Sequence, residues 1–103
     1  MRTVMNVEIY GTVAPGFEKV KDAFAANWNG IEVGASLSVV HHGETIIDLW
    51  GGYQDQACTR EWQQDTLVNV YSTTKGLASI AIAQLADKGL LDYDALMVDY
   101  WPE

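Results

Sequence analysis

Residues 77–86 read Leu-Ala-Ser-Ile-Ala-Ile-Ala-Gln-Leu-Ala, and wound as a helix they have almost no polar side. At 3.6 residues per turn, apolar or small side chains cover nearly the whole circumference. An amphipathic surface helix needs a neighbour on one face only, whereas this one needs neighbours on most sides. The spacing predicts a helix from about residue 72 to residue 88, with Gly89 at the C′ position that favours glycine. The rest of the chain must therefore be read as material arranged around a central helix. At 49% hydrophobic and 19% charged residues the sequence is core-forming, and its 103 residues suit one small domain better than two.

The elements before and after this helix are short. Residues 4–13 read as an extended arm, punctuated by Gly11 and then by Pro15-Gly16. Residues 17–28 fit a helix, because Phe17, Val20, Phe24 and Trp28 recur on one face at three- and four-residue spacing, and Asn29-Gly30 closes it. Residues 35–41 and 45–51 are rich in β-branched side chains and flank His42-Gly43-Glu44, which predicts a β-hairpin. Residues 53–65 are polar and irregular, a loop, and 66–71 are extended. After Gly89 comes a turn-rich connection at 90–94 and one short helical turn at 95–100, stopped by Pro102. There is no internal repeat, low-complexity tract or linker.

Chemistry concentrates at the start of the long helix, in Ser72-Thr73-Thr74-Lys75. One helical turn separates i from i+3, so the hydroxyl and the amine project from the same face and can meet. Cations are disfavoured at a helix N-terminus, and burial among alanine and leucine would further disfavour the ammonium form. Both effects push a lysine toward the neutral amine, which can accept a proton from serine. Backbone N–H groups at a helix start can also help to hold an oxyanion. The same four residues fit a plainer description, with Ser72 as an N-cap and Lys75 as a solvated first-turn residue.

Composition excludes several other classes. Fourteen acidic against six basic residues give a formal net charge of -8, leaving no basic patch for phosphates, so no nucleic-acid partner is expected. The single Cys58 rules out an internal disulfide. Residues 1–10 contain no apolar stretch of the kind that marks a signal peptide, and no run spans a bilayer, so a cytoplasmic setting without a membrane partner is expected. His41-His42 lacks partner ligands at metal-site spacing, and adjacent strand residues point to opposite faces. Asp92, Asp94, Asp99 and Glu103 lack the pattern of a calcium loop and read as a solvated face, so neither a metal nor a cofactor is expected. The four tryptophans read as packing residues.

Beyond the tetrad, four stretches resemble the N-terminal part of the serine β-lactamase-like superfamily, on the side of class C β-lactamases and family VIII carboxylesterases. They are Gly11-Thr12-Val13-Ala14-Pro15-Gly16-Phe17-Glu18, Asp48-Leu49-Trp50-Gly51-Gly52-Tyr53, Thr66-Leu67-Val68-Asn69-Val70-Tyr71-Ser72-Thr73-Thr74-Lys75-Gly76 and Asp99-Tyr100-Trp101-Pro102. They run from end to end in the family's order. The resemblance implies an α+β fold: the N-terminal part of the β-lactamase/transpeptidase-like domain, with its N-terminal helix, a β-hairpin and a buried central helix carrying the Ser-x-x-Lys motif. It implies that Ser72 is the acylated nucleophile and Lys75 its proton acceptor, acting on an ester or β-lactam without a cofactor.

The family also uses a tyrosine from a Tyr-x-Asn-like motif and a Lys-Thr-Gly or His-x-Gly-like strand, both downstream. Nothing after Lys75 matches either: Tyr93 and Tyr100 lack the motif context. Trp50-Gly51-Gly52 resembles a family VIII motif that belongs near the C-terminus, and its role is not carried over. Residues 1–103 are thus expected to be a single partial domain, truncated on its C-terminal side. Two functional expectations follow: a serine hydrolase of carboxylesterase or β-lactamase type, or a catalytically incompetent fragment acting in interaction or self-association through an open sheet edge.

Overall fold

The computed structural model describes residues 6–103, which divide into two compact units, one running to Leu67 and the other Val68–Glu103. The first is built on a three-stranded antiparallel sheet. Strands β1 (Ile9–Val13), β2 (Gly34–His41) and β3 (Glu44–Gly52) lie in the order β1-β3-β2, with helix α1 (Glu18–Ala25) between β1 and β2 in sequence. Only the later part of the extended arm forms a strand, and its positions Val4 and Met5 lie outside the described residues.

The hairpin forms as the sequence predicts, with a tighter turn. His41 pairs with Glu44, leaving His42-Gly43 as a two-residue connection with φ of 50° and 79°. Two successive positive φ values match the right-handed twist of the flanking strands. Between Val39 and Val40 the register shifts, so that Ile46 of β3 is the extra residue of a bulge. Ile46 is still used, because its carbonyl accepts the Ala14 N–H at 2.7 Å.

Alternation along β3 places Ile47 and Leu49 on one face, and Leu49 is fully buried there. Phe24 and Trp28 pack onto that face, with Val20, Ile9, Val13, Leu37 and Val39 around them. The Phe24 and Trp28 rings meet edge to face, 5.2 Å apart. On the opposite face Tyr10 stacks on its cross-strand partner Trp50 at 6.4 Å. Gly11, with φ 105°, crosses close over the Asp48 carbonyl, where any Cβ would overlap it.

Helix α1 ends at Ala25, three residues before the end that the apolar spacing predicts. The Asn27 side chain donates to the Phe24 carbonyl at 3.1 Å, alongside Asn27's own N–H at 3.2 Å, and draws the chain out of the helix into turns. Trp28 keeps its place in the core from this turn, and its Nε1–H reaches the Val33 carbonyl at 3.2 Å.

The polar stretch after β3 is more ordered than its composition suggests. Gln54 N–H bonds the Arg60 carbonyl at 2.8 Å, Tyr53 bridges Glu61, and Trp62 N–H returns to the Gly52 carbonyl at 2.8 Å. At the tip the Asp55 carboxylate accepts the Thr59 N–H at 2.8 Å and also bonds the Thr59 hydroxyl. Trp62 is buried beside Gly34, and its indole N–H has no acceptor among the described residues.

The second unit is helical. A single 3-10 turn, Tyr71–Thr73, leads into α2 (Thr74–Asp87), and α3 (Met97–Tyr100) follows. The predicted helix thus starts as a tighter turn, and residues 66–70 have no regular structure. Helix α2 closes as expected at Gly89, with φ 71°. Leu90 N–H bonds the Leu85 carbonyl at 2.9 Å and Gly89 N–H the Ala86 carbonyl at 3.0 Å. The aspartates of the connection, read as a solvated face, bind backbone. Asp92 Oδ1 accepts the Asp94 N–H at 2.9 Å, and Asp99 Oδ2 accepts the Leu96 N–H at 3.1 Å, capping α3.

The burial expected for α2 is a point of difference. None of its residues is buried, and Leu77 and Ile80 are about 60% exposed. The apolar circumference is present as the sequence shows. Within the second unit, the 3-10 turn and the four-residue α3 leave a 14-residue helix uncovered on most sides.

Candidate active site

Ser72 and Lys75 are brought together. Lys75 Nζ donates to Ser72 Oγ at 3.1 Å, across the junction between the 3-10 turn and α2. Ser72 does not act as an N-cap: the residue in that position of α2 is Thr73, in helical conformation, and no side chain caps the helix. Its hydroxyl is engaged instead by the amine, which is the arrangement that the i, i+3 spacing allows.

The backbone around Ser72 is tightly turned. Thr73 N–H closes on the Val70 carbonyl at 3.1 Å, and Thr74 N–H turns back to the Tyr71 carbonyl. These first-turn amides are therefore occupied within the turn, which narrows the supply of backbone donors that a helix start ordinarily offers. Tyr71 has φ 48°, in the left-handed region. Its N–H donates to Asn69 Oδ1 at 3.0 Å. One turn beyond the pair, the Ser79 hydroxyl donates to the Lys75 carbonyl at 3.0 Å. Neither Asn69 nor Ser79 stands out in the sequence. The signal for Asn69 was an asparagine two residues before a turn, where its side chain can bond the chain ahead.

Both members of the pair are exposed. The dry surroundings expected for Lys75 from a packed helix are not provided by the described residues, for the same reason that α2 is uncovered.

Elsewhere the candidate groups do not assemble. His41 and His42 sit closer than strand alternation implies, with ring centroids 4.0 Å apart, because His42 lies in the turn and not in the strand. Among the described residues no three metal-binding side chains cluster, and no helix is long and apolar enough to cross a membrane.

Comparison with known proteins identifies the family of the chain. Residues 20–103 match the family described as Beta-lactamase. The esterase/β-lactamase LipL of Mycobacterium tuberculosis is 38% identical over 95 residues, which is 91% of this chain and 22% of that protein. Esterase EstB of Burkholderia gladioli is 34% identical over 71 residues, 69% of this chain and 18% of that protein. Among solved structures, a family VIII carboxylesterase superposes with a TM-score of 0.88 at 55% identity, covering 92% of this chain and 26% of that one. A penicillin-binding protein homologue from Caulobacter crescentus gives 0.87 at 38% identity with the same coverage. The chain belongs to the β-lactamase family, as the N-terminal part of the serine β-lactamase-like fold. It spans about a fifth to a quarter of the length of these relatives.

Proposed function

We propose that the protein carrying this chain is a serine hydrolase that cleaves small esters, with Ser72 as nucleophile and Lys75 as its proton acceptor. The observation that carries this reading is the 3.1 Å contact between Lys75 Nζ and Ser72 Oγ. With Lys75 as the free amine, the Ser72 proton passes to Nζ while Oγ bonds to the acyl carbon. The tetrahedral adduct then expels the alcohol as the C–O bond breaks, and the departing oxygen takes the proton back from Nζ. Water adds to the acyl-serine, releases the carboxylic acid and restores the hydroxyl. On a β-lactam the bond broken would be the ring C–N bond. The names of the relatives favour an ester, since the 55% identical structure is a carboxylesterase and EstB is an esterase.

The test is hydrolysis of p-nitrophenyl esters and of a chromogenic cephalosporin by the protein and by its Ser72→Ala and Lys75→Met variants. Ester turnover should fall by at least about a thousandfold in Ser72→Ala, on the scale of nucleophile deletions. Turnover that survives the serine substitution would sink the reading.

A second reading applies to residues 1–103 taken alone, as a piece that associates and does not turn over. It is favoured by the exposed apolar surface of α2 and by strands β1 and β2, which among the described residues pair on one side only. Robust Ser72-dependent hydrolysis by a purified monomer of these residues would exclude it.

A further inference from the structure

Tyr71, immediately before Ser72, holds a conformation that an L-residue of its size rarely adopts. At φ 48° its Cβ crowds the carbonyl that follows, and outside glycine such values are occupied mainly by asparagine and aspartate. A packed ring could hold the backbone there, but the Tyr71 side chain is 79% exposed. The restraint must come from the main chain. The turn closure from Thr73 N–H to the Val70 carbonyl supplies it, since its ring spans the Tyr71 φ. The bond from Tyr71 N–H to Asn69 Oδ1 fixes the Val70–Tyr71 peptide, whose carbonyl accepts that closure. The donor is an amide N–H, so the Asn69 atom facing it must be the oxygen.

We infer that Asn69 is a positioning residue, whose side-chain oxygen orients the Val70–Tyr71 peptide so that its carbonyl closes the turn that keeps Tyr71 left-handed and aims the Ser72 hydroxyl at Lys75. This rests on Ser72 being the nucleophile. If Tyr71 relaxes toward negative φ, the peptide that follows rotates and takes Ser72 Cα and Cβ with it. The 3.1 Å contact across the junction then opens. Lys75 moves less, because it lies within α2 and its carbonyl is held from the far side by the Ser79 hydroxyl. The loss is thus one of alignment between two reacting groups, and alignment errors near 1 Å are costly in rate. Substrate affinity should change little, since Asn69 acts on the backbone of the nucleophile.

The experiment compares Asn69→Ala, Asn69→Asp, Tyr71→Gly and the Asn69→Ala/Tyr71→Gly double variant in the full protein that carries this chain. The readout is the acylation rate with a p-nitrophenyl ester, with kcat and KM resolved separately. Removing the acceptor should lower kcat by about five- to tenfold, the range of one lost hydrogen bond, and leave KM within about twofold. Asn69→Asp retains an oxygen acceptor and should lie within about threefold of the parent. Glycine adopts φ near 50° without penalty, so Asn69→Ala should cost less than about threefold in the Tyr71→Gly background.

An Asn69→Ala rate equal to the parent overturns the inference. So does equal damage from Asn69→Asp, which would point to the amide N–H groups, or an undiminished cost in the Tyr71→Gly background. Ser72→Ala serves as the separate control. If it stays active, the nucleophile reading falls and this one with it; if it is inactive while Asn69→Ala is unaffected, only the role of Asn69 falls. Circular dichroism of each variant keeps a folding defect from being counted as a loss of alignment, and Asn69→Asp tests the same bond should Asn69→Ala fail to fold.

Discussion

A lysine in the first turn of a helix stands at the end where a cation is least welcome, by roughly 0.3–1 kcal/mol. Lys75 occupies that end of α2, as Lys19 does that of α1, and its Nζ lies against Ser72 Oγ. Asp55 shows how a single side chain can organise a stretch that looks structureless in sequence. The Thr59 hydroxyl, and then the Thr59 amide, hold its carboxyl below the usual carboxylate range. The carboxylate form is thus favoured in the folded turn. Its contribution is present above the pKa of the unfolded chain and is lost as pH falls through the lower folded value. In an NMR titration the Asp55 midpoint should lie below roughly 3.9 and move up in Thr59→Val. A midpoint at or above the ordinary value in the parent protein would contradict the role given to Thr59.

At the scale of elements, sequence pattern located more than it bounded. The hairpin and the long helix form close to where periodicity and glycine placement put them, and of the arm Ile9–Val13 forms a strand. Helix α1 stops early because Asn27 competes for the Phe24 carbonyl, a contact that apolar spacing does not register. The aspartates near α3 looked like solvated charge because composition does not say which backbone amide a carboxylate will meet. Ser72-x-x-Lys75 was legible because helical spacing alone brings i and i+3 together. Asn69 was not, because the left-handed Tyr71 that gives it purpose leaves no mark on residue type. In the sheet, Gly11 is required by close backbone approach, which separates it from Gly16. Both have positive φ, but only Gly11 has the Asp48 carbonyl where a Cβ would go. Gly11→Ala should therefore destabilise the first unit by about 1–3 kcal/mol more than Gly16→Ala in denaturant unfolding. Equal losses would place the whole effect in φ.

For the whole molecule, the uncovered α2 is the dominant feature. Its apolar circumference belongs to a helix surrounded by protein, and relatives several times longer than this chain have the material to surround one. Residues 1–103 expressed alone should self-associate at micromolar concentrations, measured by light scattering after size exclusion. Leu77→Glu with Ile80→Glu should shift the population toward monomer. A monodisperse monomer of the unsubstituted chain would argue against it. Fold class was legible because it rests on element order and on motifs spread along the chain. What covers α2 was not, since a helix's own sequence records that it needs neighbours and not which ones.

Trp62 carries a consequence of a different kind. An indole sealed from solvent, with its N–H unbonded, lacks the polar relaxation that draws tryptophan emission to longer wavelength. Trp101, 68% exposed, has that relaxation in full. One stands in the first unit and the other in the second. Of the four tryptophans, Trp28, Trp50 and Trp62 lie in the first unit and Trp101 alone in the second. The longer-wavelength Trp101 emission thus reports the second unit, and the shorter-wavelength emission of buried Trp28 and Trp62 the first, without a label.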